Sequence, residues 1–280
     1  MGKEVQPENI SESVYVFEID INTKQPAADI LTIYDNIQFH NWFYGENIKG
    51  YFSDVANTDR VSDTLQDYYM GNNRVVESTN IIPVGGLNFV SAYLGKHIKP
   101  IDISRVDRKF TGREIQILSY DEMLAYLDRN GPRFIKSATK CKEFPAGKYD
   151  KNSIESIEKS INYLHKSHKF MVSELIHLLA EWRLFIHKGK ILDCKQYMGS
   201  WESRFDDAFV KEMVASIPKS IIPYTSYTVD IGLTDANSTV LIEAHNFISC
   251  GLYGFEHPNL YKMVKTAYLE EKAGLGGDIT

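Results

Sequence analysis

Two carboxylates near the C-terminal end of the chain, Asp230 and Glu243, are the residues whose placement most invites chemistry. They lie on apolar segments, 224–232 and 239–244, joined by the turn-forming run Asp235-Ala236-Asn237-Ser238. If Thr234 pairs with Thr239, the antiparallel register sets Asp230 directly opposite Glu243, and directly opposed residues share a face. Two like charges on a half-buried surface repel and are poorly solvated. Either a cation lies between them, or a basic residue of a neighbouring strand pairs with one, or one faces solvent. Mg²⁺ suits the first case, because it takes oxygen ligands and commonly uses one or two carboxylates with phosphate oxygens and water. Asn246 offers a third oxygen.

Basic residues that could answer a phosphate come earlier. Lys136 ends the short apolar run Phe134-Ile135-Lys136, where a lone cation is either aimed at a ligand or snorkels to water. Lys140, Lys142 and Lys148 follow in a loop with Gly147, able to fold over a polyphosphate or simply to form a solvated charge run. Arg183 shares a face with Glu181, and a three-residue turn at Lys188-Gly189-Lys190 puts Lys195 across from it. Arg recognises phosphate bidentately and Lys as a point charge; the bland alternative is a surface ladder of Glu181, Arg183 and Lys195.

Other chemistries find little support. There is no GxxxxGK[ST] loop and no GxSxG. Cys141, Cys194 and Cys250 stand apart without a CxxC pair, so neither a zinc site nor a disulfide framework is expected. His177 and His187 sit among strand residues and read as structural or surface histidines.

The elements that must position these groups can be read from periodicity. A strand is expected over 14–21 and a helix beginning in 26–34. Between Trp42 and Asn80 the pattern is poor. Asn80 to Gly86 is an apolar run closed by glycines and followed by a helix over 87–94, an α/β arrangement. A helix over 120–129 is broken by Asn130-Gly131-Pro132. Asn152 and Glu155 have capping-box spacing, with Ile154, Ile157, Ile161 and Leu164 on one helical face. Strands are expected at 170–174, 181–187 and 191–197. Phe205, Phe209, Met213 and Ile217 mark an amphipathic helix ending before Pro218.

The chain has 280 residues, enough for one large domain or two to three packed subdomains. Its net charge of -6 argues against nucleic acid as the main partner. The polar start lacks an apolar leader and no stretch approaches the roughly 20 apolar residues that span a bilayer, so a cytoplasmic protein without membrane partners is expected.

In order, Phe134-Ile135-Lys136, Phe170-Met171-Val172-Ser173-Glu174, Glu181-Trp182-Arg183, Asp230 and Ile242-Glu243-Ala244-His245-Asn246 resemble the ATP-grasp superfamily, in a branch found in phages and bacteria. Ile82-Pro83-Val84-Gly85 and the following helix resemble its pre-grasp region. The resemblance implies an α+β fold in which two subdomains clasp ATP, preceded by an α/β region. The implied division is 1–125 for the pre-grasp region, 126–170 for the lysine-bearing subdomain and 171–280 for the metal-binding subdomain. It also implies that Lys136 contacts the α- and β-phosphates, with Lys142 as second phosphate lysine. Ser173, Glu174 and Leu175 form a hinge reading adenine, and Arg183 faces the γ-phosphate, with Glu181 in the same cleft. On the same resemblance, Asp230, Glu243 and Asn246 would bind Mg²⁺. The family's last motif has one residue between Glu and Asn, whereas Ala244 and His245 intervene here. Either a bulge returns Asn246 to the metal or His245 takes that place.

ATP-grasp enzymes are mostly ligases that form ADP through an acyl-phosphate, so the implied reaction joins a small-molecule or peptide carboxylate to an amine. Two other readings are an ATP-binding regulatory module without ligase activity and a nucleotidyl transferase in which Lys136 is adenylylated. The Asp-Gly expected after such a lysine is missing.

Overall fold

The computed structural model describes residues 13–56, 60–76, 80–154, 157, 159 and 167–275. The chain divides into two compact units, one of Met1–Lys96 with Phe247–Ala273 and one of His97–Asn246 with Gly274–Thr280.

The first unit is built on a parallel sheet of order β2-β1-β3, with β1 Val14–Glu18, β2 Lys49–Ser53 and β3 Ile81–Val84. Val14, Tyr15, Val16 and Phe17 are all buried, as expected of a central parallel strand covered on both faces. Helix α1 (Ala28–Tyr44) makes the crossover to β2, α2 is Leu65–Met70, and α3 (Leu87–Leu94) follows β3 through Gly85-Gly86. The strand and helix expected around the glycines are in place. The segment 42–80, which shows little pattern, nevertheless holds β2. A Cβ at Gly50 would meet the Phe17 ring at 2.9 Å, so the strand carries a residue type that weakens strand signals.

The second unit holds two antiparallel sheets of four strands, ordered β4-β7-β5-β6 and β11-β10-β8-β9. In the first, β4 is Ile115–Ser119, β5 Arg133–Ser137, β6 Gly147–Tyr149 and β7 Lys169–Ser173. Helix α4 (Arg108–Thr111) precedes β4, and α5 (Tyr120–Asn130) opens on a capping box of Ser119 and Glu122. Met123 and Leu127 of α5 pack with Ile135, Phe170 and Val172, which all lie on one face of the sheet. The opposite face carries Phe134, Lys136 and, paired to Phe134, Lys148. The helix expected from Asn152 lies largely outside the described residues, Glu155, Ile161 and Leu164 among them; Ile154 and Ile157 are buried in this core.

In the second sheet, β8 is Leu178–His187, β9 Lys190–Gly199, β10 Ser226–Thr234 and β11 Thr239–Asn246. Trp182, Leu184 and Ile186 join Val229 and Ile231 on the face covered by Val210 and Met213 of α6 (Asp207–Ser216). That leaves Glu181, Arg183 and Asp230 together on the other face. Only residues 174–177 connect β7 of one sheet to β8 of the other. The sheet bearing Lys136 takes in 115–119 and 169–173, so its strands reach past segment 126–170 on one side and across its end on the other. The last helix, α7 (Leu260–Lys272), belongs to the first unit, where the backbone carbonyl of Tyr261 accepts from Tyr15 Oη at 3.3 Å.

Candidate active site

The β10–β11 hairpin aligns Asp230 with Glu243, as the sequence suggests, by a different route. Thr239 pairs with Leu233 rather than Thr234, and the lost residue is recovered by a bulge at Ile242. The β8–β9 hairpin repeats the device. Lys188 and Gly189, with φ of 51° and 74°, form a two-residue turn between His187 and Lys190, shorter than the expected three. A register shift between Phe185 and Ile186 then restores Arg183 opposite Lys195.

Arg183 and Asp230 face each other across β8 and β10 and form a fork: Nε donates to Oδ1 and a terminal nitrogen to Oδ2, both at 2.7 Å. Both side chains are buried. Tyr197 donates to Glu181 at 2.7 Å and lies 3.3 Å from Asp230 Oδ2. Burial first, then the Asp230 charge, pushes the tyrosine hydroxyl far above its ordinary pKa, so it keeps its proton to donate. Lys195 pairs with Asp193 at 2.9 Å, so the surface ladder of Glu181, Arg183 and Lys195 does not form.

Glu243 is held from two sides. Lys136 Nζ lies 3.1 Å from Oε2, and His245 Nε2 lies 2.8 Å from Oε1. Burial would raise this carboxyl, but the charges and hydrogen bonds of His245 and Lys136 outweigh it and hold the group well below the carboxylate range. Asp230 thus has its basic partner on a neighbouring strand, the second of the three arrangements the sequence left open, while Glu243 is met by Lys136 of the other sheet and by His245 of its own strand. Lys136 and Arg183 come from different sheets of the unit and meet the same hairpin.

The remaining candidates are placed as follows. Ser173 ends β7 and is buried; Glu174 and Leu175 begin the connection to β8, with Leu175 exposed. The Glu174 carboxylate accepts from the Glu114 backbone N–H at 2.8 Å. Lys142 is exposed with a left-handed φ of 54° in the loop after β5, whereas Lys148 shares the sheet face of Lys136. Asn246 pairs with Tyr227, one step out of phase with Glu243, and no further bulge turns it back. By this register His245 falls on the face of Glu243 and Asn246 on the alternate parity. His187 is buried against Ser226 and His177 is exposed, as expected of structural and surface histidines.

Two supports were not legible as site residues. Arg113 is buried and donates to the backbone oxygens of Leu241 at 2.8 Å and Ile242 at 3.0 Å, the residues of the bulge. Burial pulls its guanidinium down to about 10, with Glu243 acting in the opposite direction, so it stays cationic at neutral pH. Glu143 accepts from Ser137 and contacts His168 Nε2, each at 2.7 Å, pinning the Lys140–Lys142 loop. A lone Arg before a short strand carries no periodicity signal. Tyr197 was accessible, being two residues from Lys195 on an alternating strand.

Among the described residues, Asp230, Glu243 and His245 form a group whose donor atoms lie within 4.8 Å of one another, close enough to share an ion. Two linked antiparallel sheets presenting a lysine, an arginine and paired carboxylates define the ATP-grasp fold. A family model for an ATP-grasp domain matches residues 110–263, more than half of the chain, and the chain belongs to that family. Solved structures agree on the fold. VanG D-Ala:D-Ser ligase from Enterococcus faecalis aligns with a TM-score of 0.55 at 12% identity, over 95% of this chain and 100% of that one. N5-Carboxyaminoimidazole synthetase from Staphylococcus aureus aligns at 0.51 and 9% identity, over 92% and 78%. D-cycloserine synthetase DcsG gives 0.50 and 9%, over 92% and 98%. A search of curated proteins returns no match. No helix among the described residues is long and apolar enough to cross a membrane.

Proposed function

We propose that the chain is an ATP- and Mg²⁺-dependent, ADP-forming ligase that joins a small-molecule or peptide carboxylate to an amine through an acyl-phosphate. The observation that carries this reading is the pairing of Lys136 with Glu243 and of Arg183 with Asp230. Each basic group lies against a carboxylate. The same cations are placed to meet phosphate oxygens, and the carboxylates beside them to meet a metal. Phosphoryl transfer asks for this kind of positioning and charge neutralisation rather than a protein nucleophile.

In the proposed reaction Lys136, with Lys142 or Lys148, holds the polyphosphate, and residues 173–175 receive the adenine. Asp230 and Glu243 suit Mg²⁺ by donor type and would hold it, and the ion would supply neutralisation of phosphate charge. The substrate carboxylate attacks the γ-phosphorus, ADP leaves, and the amine then displaces phosphate from the acyl carbon. Arg183 is placed to stabilise charge on the transferred group.

The test is an ATP assay with mixed amino acids and cell extract, scoring ADP against AMP. ADP release that depends on added substrate, and falls at least about a hundredfold in Lys136→Ala and Glu243→Gln, is the expected result. Undiminished ADP release by both variants sinks the site, and AMP as product sinks the ligase reading.

A further inference from the structure

Glu243 and His245 sit two residues apart on one face of β11, with the imidazole nitrogen 2.8 Å from a carboxylate oxygen. Neighbouring ligands of an octahedral ion, each about 2.1 Å from it, are roughly 3 Å apart. The pair already has that separation. Asp230 brings a third donor within 4.8 Å of both. Its Oδ1 accepts from Arg183 Nε, and a carboxylate oxygen has a second lone pair to give. Asn246, which would complete an all-oxygen set, is on the other side of the strand by parity.

The donor set is therefore two carboxylates and one imidazole. Mg²⁺ prefers oxygen and gives up water reluctantly, whereas imidazole suits first-row transition ions, with affinity rising from Mn²⁺ through Co²⁺. We infer that His245 is the third protein ligand of the hairpin site, and that the site binds Mn²⁺ and Co²⁺ more tightly than Mg²⁺. The inference builds on the reading of Asp230 and Glu243 as metal ligands. On binding, the Nε2 proton shared with Glu243 is released to solvent, and the ring, with its remaining proton on Nδ1, offers the Nε2 lone pair to the ion.

The experiment uses the full chain and the metal alone, so that no nucleotide nitrogen confuses the signal. Pulsed EPR of bound Mn²⁺ is expected to show nitrogen coupling in the wild type and none in His245→Asn or His245→Gln. Calorimetry is expected to show Mn²⁺ affinity falling at least about tenfold in both variants. The Mg²⁺ affinity is expected to move less, and both variants are checked for wild-type circular dichroism. Wild-type Mn²⁺ without nitrogen coupling overturns the inference, as does Mn²⁺ affinity unchanged in folded variants. ADP formation is scored separately. Nitrogen coupling without substrate-dependent ADP defeats the ligase reading and leaves His245 a ligand, while ADP formation without coupling defeats only His245.

Discussion

Arg183 and Asp230 are joined by two parallel hydrogen bonds of 2.7 Å across adjacent central strands, with each side chain less than a tenth exposed. Burying two charges costs desolvation that only this paired geometry offsets. Removing one partner leaves the other charged and unpaired. Arg183→Met is therefore expected to lower unfolding free energy by about 3–5 kcal/mol in urea titration, and Arg183→Met with Asp230→Asn by clearly less. A double-variant loss equal to the sum of the Arg183→Met and Asp230→Asn losses would show that the charges are not coupled.

Arg113 grips the two carbonyls of the β11 bulge, and Gly112 before it has a φ of 63° with Val240 filling the space a Cβ would need. A lysine can supply the charge but not the fork. Arg113→Lys and Gly112→Ala should each cost about 1–3 kcal/mol. Amide hydrogen exchange should quicken at Leu241 to Glu243 before it changes in β8. Uniform quickening across the sheet would instead mark Arg113 as a general core residue.

The loop carrying Lys142 is tied down through Glu143, which contacts both Ser137 and His168. Glu143→Ala leaves those two buried groups without this partner, a loss of about 1–3 kcal/mol felt first as local opening. Trypsin cleavage after Lys140 or Lys142 should then accelerate by about tenfold. A cleavage rate like that of the wild type would mean the loop is held by other contacts.

The Cys194 thiol is pushed up to about 12 by burial, aided by Asp193 and Asp207. Its folded pKa lies above the unfolded value of roughly 8.5, so its contribution to stability is complete below that value and is lost as pH rises toward 12. At pH 8, alkylation by iodoacetamide should leave Cys194 unmodified in the native protein, and urea should expose it. Rapid native labelling at this position, mapped by mass spectrometry, would contradict the burial.

Much of the second unit was legible because its strands announce themselves. Trp182, Leu184 and Ile186 alternate against Glu181 and Arg183, and the two faces are those observed. The alignment of Asp230 with Glu243 was also legible, although Thr234 and Thr239 do not pair. Composition cannot separate a longer turn from a shorter turn plus a bulge, since both give the same alignment downstream. The strand β4 has a readable alternation in Ile115 and Ile117, but β6 has only three residues. Arg113 was hidden for another reason: its partners in β11 are backbone carbonyls more than a hundred residues away, and backbone groups leave no mark in sequence.

The pairing of β8 with β10 runs without interruption from Ser226 to Leu233, while the shifts that flank the site lie on the outer strands β9 and β11. Next to the site, irregularity is thus confined to the two outer strands, the one shift between β8 and β10 lying beyond it at Leu233 and Thr234. A residue inserted at either tip can be absorbed by expelling the neighbouring bulge, and the alignment of Arg183 with Asp230 need not move. Hairpin length is in this way decoupled from site geometry. The tips are the places where this fold can accept new loops without losing its ion pairs.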